Sequence, residues 1–143
     1  MAYKIFLDTN ILLDFFSEDR ANSKEAQELF LHISNSSFQV CLSESVLTTF
    51  DYLMAKSLSK TVRAKILLDI CSIMTILACN NDAAILAAKN NFPDYEDALL
   101  FEIAAKNEVD YIVTNDKLAI KSLGNESTKV ISTKGFLKVI QQL

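Results

Sequence analysis

Residues Pro93 to Asp116 read PDYEDALLFEIAAKNEVDYIVTND, and this stretch decides the fold. A proline followed by acids is a helix start, because acids favour the positive end of the macrodipole. Ala98, Leu99, Phe101, Ile103 and Ala104 then form an apolar stripe, which predicts a helix over 95–107. The run Tyr111-Ile112-Val113-Thr114 follows, nearly continuous in apolar residues, and predicts a buried strand over 110–114. The strand leads straight to a carboxylate, Asp116. The same strand-then-acid unit stands near the N-terminus, where Tyr3-Lys4-Ile5-Phe6-Leu7 runs into Asp8 and predicts a strand over 3–8.

Working outward, the short runs rich in Ile, Val and Phe at 38–42, 73–77 and 129–132 read as further strands. They do not alternate in polarity, as expected of a parallel sheet covered on both faces. Amphipathic stripes predict helices between them. Residues 22–35 carry Ala26, Leu29, Phe30 and Ile33, and residues 44–57 carry Val46, Leu47, Phe50, Leu53 and Met54. Residues 60–71 carry Val62, Ile66, Leu67 and Ile70, and residues 81–91 carry Ala84, Ile85, Ala87 and Ala88. Phe136, Leu137, Val139 and Ile140 close the chain as a helix. Strands alternating with helices predict a three-layer α/β/α sandwich around a central, mainly parallel sheet of four to five strands. Two glycines, one proline and the lack of a linker or repeat point to long helices, tight connections and one domain over 1–143.

Composition narrows the function. Hydrophobic residues make up 50% of the 143, which argues against disorder. No apolar run reaches the ~18 residues of a membrane span, and no signal-peptide pattern is seen, so a cytoplasmic protein is expected. Cys41, Cys71 and Cys79 fit no metal-ligand spacing and lie in apolar runs, so they are expected to be buried, reduced thiols. His32 stands alone on a polar helix and reads as a surface residue. The net charge of −4 argues against a broad nucleic-acid surface, but the charge is uneven. Lys56, Lys60, Arg63 and Lys65 form one basic group, and Lys117 and Lys121 another. Each is either a solvated helix face or a set of phosphate contacts beside an acidic site.

Asp8, Asp97 and Asp116 are the acids of most interest. Functional groups gather at the carboxyl ends of strands in an open parallel sheet, and Asp8 and Asp116 both occupy such ends. Each acid also has a local explanation. Asn10 could cap a helix over 11–16, leaving Asp8 free; Asp94 could cap the helix over 95–107; Asp116 could cap a helix through Leu123. Asp94 and Asp97 are three apart and can share a face. Thr114 could hold a carboxylate or a bound water. Carboxylates that converge bind a divalent cation, and a divalent cation can promote phosphodiester cleavage.

The segments FLDTNILLDFF and PDYEDALLFEIAAKNEVDYIVTND, with the order of elements, resemble the PIN-domain family, and within it the compact VapC-like toxin ribonucleases. The resemblance covers essentially the whole chain. It implies a metal-dependent endoribonuclease with Asp8, Asp97 and Asp116 as catalytic and metal-binding acids and Mg²⁺ or Mn²⁺ as cofactor. It places Asn10 and Thr114 in supporting positions; Asp94, one turn from Asp97, is a further candidate ligand from its spacing. It implies cleavage that leaves 5′-phosphate and 3′-hydroxyl ends, a cognate antitoxin whose C-terminal segment occupies the acidic groove, and a homodimer. Two positions depart from the pattern. Thr49 stands where such proteins carry a glutamate, and Glu44 is about 140° of helix rotation away, so it is no substitute. Asn115 stands where an arginine is common. Thr49 motivates an alternative reading, a catalytically weakened RNA- or protein-binding module. A dehalogenase-like phosphoryl site is disfavoured because Asn10 stands where it wants a second aspartate. A receiver-like site is disfavoured because it wants an acidic pair at the end of the first strand and a lysine after a late strand, a pattern that is not convincing here.

Overall fold

The computed structural model describes residues 3–35 and 38–143. Its elements, in chain order, are β1 (Lys4–Leu7), α1 (Thr9–Phe16), α2 (Ser23–Asn35), β2 (Gln39–Ser43), α3 (Glu44–Met54), α4 (Lys60–Ile73) and β3 (Thr75–Leu77), followed by α5 (Asn81–Lys89), α6 (Tyr95–Lys106), β4 (Tyr111–Val113), α7 (Lys117–Ser122), β5 (Lys129–Ile131) and α8 (Thr133–Gln141). The strands form one five-stranded sheet in the order β3-β2-β1-β4-β5, and all four pairings are parallel. The expected α/β architecture is therefore present, with five strands and no antiparallel edge among the described residues.

β1 is the central strand, and its Ile5, Phe6 and Leu7 are fully buried. A strand covered on both faces has no solvent side, which is why its sequence does not alternate. Helix starts are set by short polar side chains. Ser43, Ser59, Asn80 and Ser132 each accept a backbone N–H at the first turn of α3, α4, α5 and α8, and Asp8, Asp94 and Asp116 do the same for α1, α6 and α7. These caps let strands pass into helices with almost no loop. At the opposite end of α6, Glu108 takes a left-handed conformation with φ of 57°, so that Val109 can turn back into the sheet.

Three expectations need correction. Asn10 does not cap the first helix: α1 begins at Thr9, Asp8 itself is the cap, and Asn10 lies exposed in the first turn. Of the cysteines only Cys41 is buried; Cys71 and Cys79 are exposed, although all three are free thiols. Among the described residues of α4 only Ile70 is fully buried, so the next position, Cys71, turns to solvent. The stripe on α5 is also displaced. Ala83 and Ala87, one turn apart, are the buried positions, while Ile85 and Leu86 stay exposed. Alanines allow α5 to approach α6 closely, and Ala87 joins Phe92, Ala98 and Ala119 in a second apolar cluster.

Phe136 anchors the C-terminal helix. It is fully buried and packs against Phe38 and Tyr111, with ring centroids 5.8 and 5.3 Å away. Phe136→Ala is expected to lower unfolding stability by about 3–5 kcal/mol, read from the urea midpoint.

Candidate functional site

The sheet order places a topological switch point between β1 and β4. The chain leaves β1 towards β2 on one side, and β4 pairs on the other. Ligand sites of open parallel sheets lie at such a point, beyond the carboxyl ends of the strands. Here the carboxyl ends are Asp8 and Thr114. The Asp8 N–H donates to the Val113 carbonyl at 3.1 Å, so β1 and β4 are joined up to their last residues.

The Thr114 hydroxyl continues that junction into the side chains. It donates to Asp8 Oδ2 at 2.8 Å and accepts the Asp116 N–H at 3.1 Å. Asp8 Oδ1 accepts from the Thr9 N–H at 2.7 Å. Asp116 Oδ1 caps α7 through the Ala119 N–H at 3.0 Å. Asp94 Oδ1 caps α6 by accepting the Asp97 N–H at 3.1 Å. The capping readings of Asp94 and Asp116 are thus correct, and capping does not remove either acid from the cleft.

The cleft has a volume of about 210 Å³ and is lined by Asp8, Thr9, Asn10, Thr49, Leu53, Asp94, Glu96, Asp97 and Asp116. It brings together Asp8, Asn10, Thr49, Asp94, Asp97 and Asp116 from the candidates named in the sequence; Thr114 lies just beneath. Below it a small apolar void is lined by Leu100, Phe101, Ile112 and Ala119, with Asp8 and Asp97 at its mouth. This apolar floor explains the electrostatics. Burial is the main cause of a raised Asp8 pKa, reinforced by the charges of Asp116 and Asp94 and opposed by the hydrogen bonds from Thr114 and Thr9. Asp97 is pushed up to about 7, first by desolvation and then by Asp8, Asp94, Asp116 and Glu96. Glu96 is raised as well. Its carboxyl end is partly desolvated in the cleft although the residue as a whole is exposed, Asp8 and Asp94 repel it, and the Thr49 hydroxyl acts in the opposite direction.

Sequence reasoning passed over Glu96, counting it only as a favourable charge at the helix start. Its place between Asp94 and Asp97, in the same first turn, was the signal available. It also passed over Asp14 and Arg20. Asp14 is buried and pairs with Arg20 at 2.7 Å, and Arg20 reaches Asn10 Oδ1 at 3.3 Å, so Asn10 links this ion pair to the cleft. Asn115 makes two bonds to Thr133, at 3.3 and 3.1 Å, and ties β4 to the start of α8. In the first basic group, Arg63 is engaged by Asp51 at 2.9 Å and by the Leu58 carbonyl, and Lys56 lies over the Tyr52 ring.

The donors in the cleft fit a hard divalent cation. They are oxygens only, without histidine or thiol, as Mg²⁺ and Mn²⁺ prefer. The buried hydroxyl of Thr9, a residue of the cleft wall, has no hydrogen-bond partner among the described residues. Such a group carries a desolvation cost that a hydrated cation beside it would relieve. With the acids turned to their caps, no three of them close into a coordination cage among the described residues.

The match to known proteins follows the same elements. Residues 4–118 match the PIN domain family, a span that runs from the first residue of β1 into α7. The chain belongs to the PIN-domain family. It is 28% identical over 141 residues to Ribonuclease VapC1 of Aquifex aeolicus, covering 93% of this chain and 92% of that one. Among solved structures it is similar to the VapC20 toxin of Mycobacterium tuberculosis, described as cleaving the sarcin-ricin loop. The TM-score is 0.65 at 14% identity, over 84% of this chain and 96% of that one. It is also similar to VapBC2 of Rickettsia felis bound to a DNA fragment from its promoter, with a TM-score of 0.66 at 18% identity, over 90% and 98% of the two chains.

The raised Asp97 pKa makes a signed prediction for the metal-free protein. A carboxyl whose folded pKa lies above its unfolded value binds its proton more tightly when folded. Stability from this group is therefore present at low pH and falls as pH rises from about 4 to about 7. In chelator, Asp97→Asn is expected to raise the melting temperature at pH 8 and to have a smaller effect at pH 5.

Proposed function

We propose that this PIN-like domain, spanning 1–143, is a metal-dependent endoribonuclease that hydrolyses RNA phosphodiester bonds and acts as the toxin of a toxin–antitoxin pair in the cytoplasm. The observation that carries the reading is the convergence of Asp8, Asp97 and Asp116 on one cleft at the switch point of the sheet. Similarity to a ribonuclease over nearly the full length supports the same chemistry. Among the described residues no helix is long and apolar enough to cross a membrane.

Asp8, Asp97 and Asp116, with Asp94 beside them, would hold Mg²⁺ or Mn²⁺. When bound, such an ion neutralises charge building on the phosphoryl oxygens and lowers the pKa of a water. The chain's own contribution is positional. Thr114 and Thr9 fix the Asp8 carboxylate, and Thr114 also fixes the backbone of Asp116. Asp97 must lose its proton to act as a ligand, and its pKa of about 7 makes that loss pH-dependent in the neutral range. Lys117 and Lys121, which follow Asp116, are set to contact RNA phosphates near the cleft.

The partners follow from the same site. Solved relatives include toxin–antitoxin complexes, such as one from Klebsiella pneumoniae with a TM-score of 0.63 at 19% identity over 87% of this chain and 94% of that one. A cationic side chain from a cognate antitoxin would neutralise the carboxylates as a metal does. Exposed Ile85 and Leu86 on α5 and Tyr95 at the start of α6, two helices that pack together, support a homodimer. The alternative, a binding module with weakened catalysis, rests on Thr49 and is separated by the same assay.

With Mn²⁺ the purified protein is expected to cleave structured RNA, and chelator is expected to stop it. Asp8→Asn and Asp97→Asn should each cut the rate by at least ~100-fold, the upper end of what even the outer partners of a metal cost. Unchanged cleavage in both variants would sink the nuclease reading. Mn²⁺ affinity, measured by calorimetry, should rise between pH 6 and pH 8 as Asp97 loses its proton.

A further inference from the structure

We propose that Glu96 is a further carboxylate of the cation site, held over the cleft by the Thr49 hydroxyl. The inference rests on the metal-dependent reading above and adds to it a ligand and a positioning residue.

Glu96 and Asp97 are adjacent in the first turn of α6, so their side chains leave the helix about 100° apart. Both nevertheless line the same cleft, which also takes in Asp94 at the start of α6 and Thr49 and Leu53 of α3. Glu96 and Thr49 of α3 line the same cleft, and the Thr49 hydroxyl is near enough to favour the charged form of the Glu96 carboxyl. A glutamate at an exposed helix start could place its flexible carboxylate in bulk water at no cost. Here it lines a cleft together with four aspartates and Thr49. Thr49 is half-buried, one helical turn from Leu53, and so is fixed by the packing of α3.

The arrangement also gives Thr49 a function. A short side chain on α3 leaves room for the longer Glu96 to enter from α6. The carboxylate on the α3 wall of the cleft is then supplied by the facing helix.

The test is Mn²⁺ binding in the absence of RNA, by calorimetry and by electron paramagnetic resonance, on the full-length chain. Glu96→Gln should weaken Mn²⁺ binding by about 10-fold or more, and Thr49→Val should lose part of the same affinity. Glu28→Gln, on the exposed face of α2, controls for net charge and should bind as the wild type does. The double variant Thr49→Glu, Glu96→Gln moves the carboxylate onto α3 and should regain most of the lost affinity. Unaltered affinity in Glu96→Gln, while Asp97→Asn loses binding, would overturn the role of Glu96 and leave the metal site standing. A wild-type protein that binds no Mn²⁺ would overturn both. Glu96 is exposed, so the variants are expected to melt within a few degrees of the wild type.

Discussion

The cleft depends on the junction between β1 and β4. Parallel pairing sets Leu7 opposite Val113, and the Asp8 N–H and the Thr114 hydroxyl carry the pairing one residue beyond the strands. A one-residue slip would turn every side chain of β1 to the other face and move Asp8 away from Thr114. The register is protected because Ile5, Phe6 and Leu7 are buried on both faces. The other end of β1 holds α6. Lys4 donates through Nζ to the Asn107 carbonyl at 2.7 Å, and its own carbonyl accepts from the Asp110 N–H at 2.8 Å. One four-residue strand thus bears Asp8 at its carboxyl end and, at its start, secures the helix that brings Asp97 to the same edge.

Hydrogen-bond donors decide how each acid tolerates its neighbours. Asp8 receives two donors, and Asp94 and Asp116 one each. The carboxylate of Asp97 receives none among the described hydrogen bonds, and it is the group held near 7. Capping and cation binding are therefore compatible uses of the same side chains. A cap engages one oxygen and fixes the backbone, while each carboxylate keeps further lone pairs and still lines the cleft. Asp97 is the exception, the acid whose charge has no protein donor to stabilise it. Such a group is where an external cation lowers the free energy most.

Much of the fold was legible because buried parallel strands carry a local signature, apolar runs ended by polar caps. Asp8, Asp97 and Asp116 were legible for the same reason, since each sits at a boundary that periodicity reveals. What failed depends on packing between elements. The buried face of α5 is chosen by its contact with α6, so Ala83 and Ala87 won over the more hydrophobic Ile85. Cys71 lies outward because α4 buries only a narrow seam. Asn10 lost the cap to Asp8 because the helix starts at Thr9, two residues before the apolar pattern does at Ile11. Glu96 was hidden for a different reason: a glutamate in the first turn of any helix is already explained by the dipole, and only the opposite wall, with Thr49, distinguishes it.

Net charge takes on a different meaning once the cleft is known. The chain carries −4, which from composition alone argues against nucleic acid. Yet Asp8, Asp94, Glu96, Asp97 and Asp116 all line one cavity. Setting those five charges aside turns −4 into +1, so the rest of the chain is slightly cationic. The acidity is local, and it is of the kind that divalent ions neutralise. A polyanion approaching the cation-loaded cleft would meet little net repulsion, whereas the empty cleft would repel it. Screening restricts this effect to within about 10 Å at 0.1 M salt, so it would govern the last step of docking at the cleft more than long-range attraction. On the metal-dependent reading proposed above, the ions would thereby also control access to the cleft.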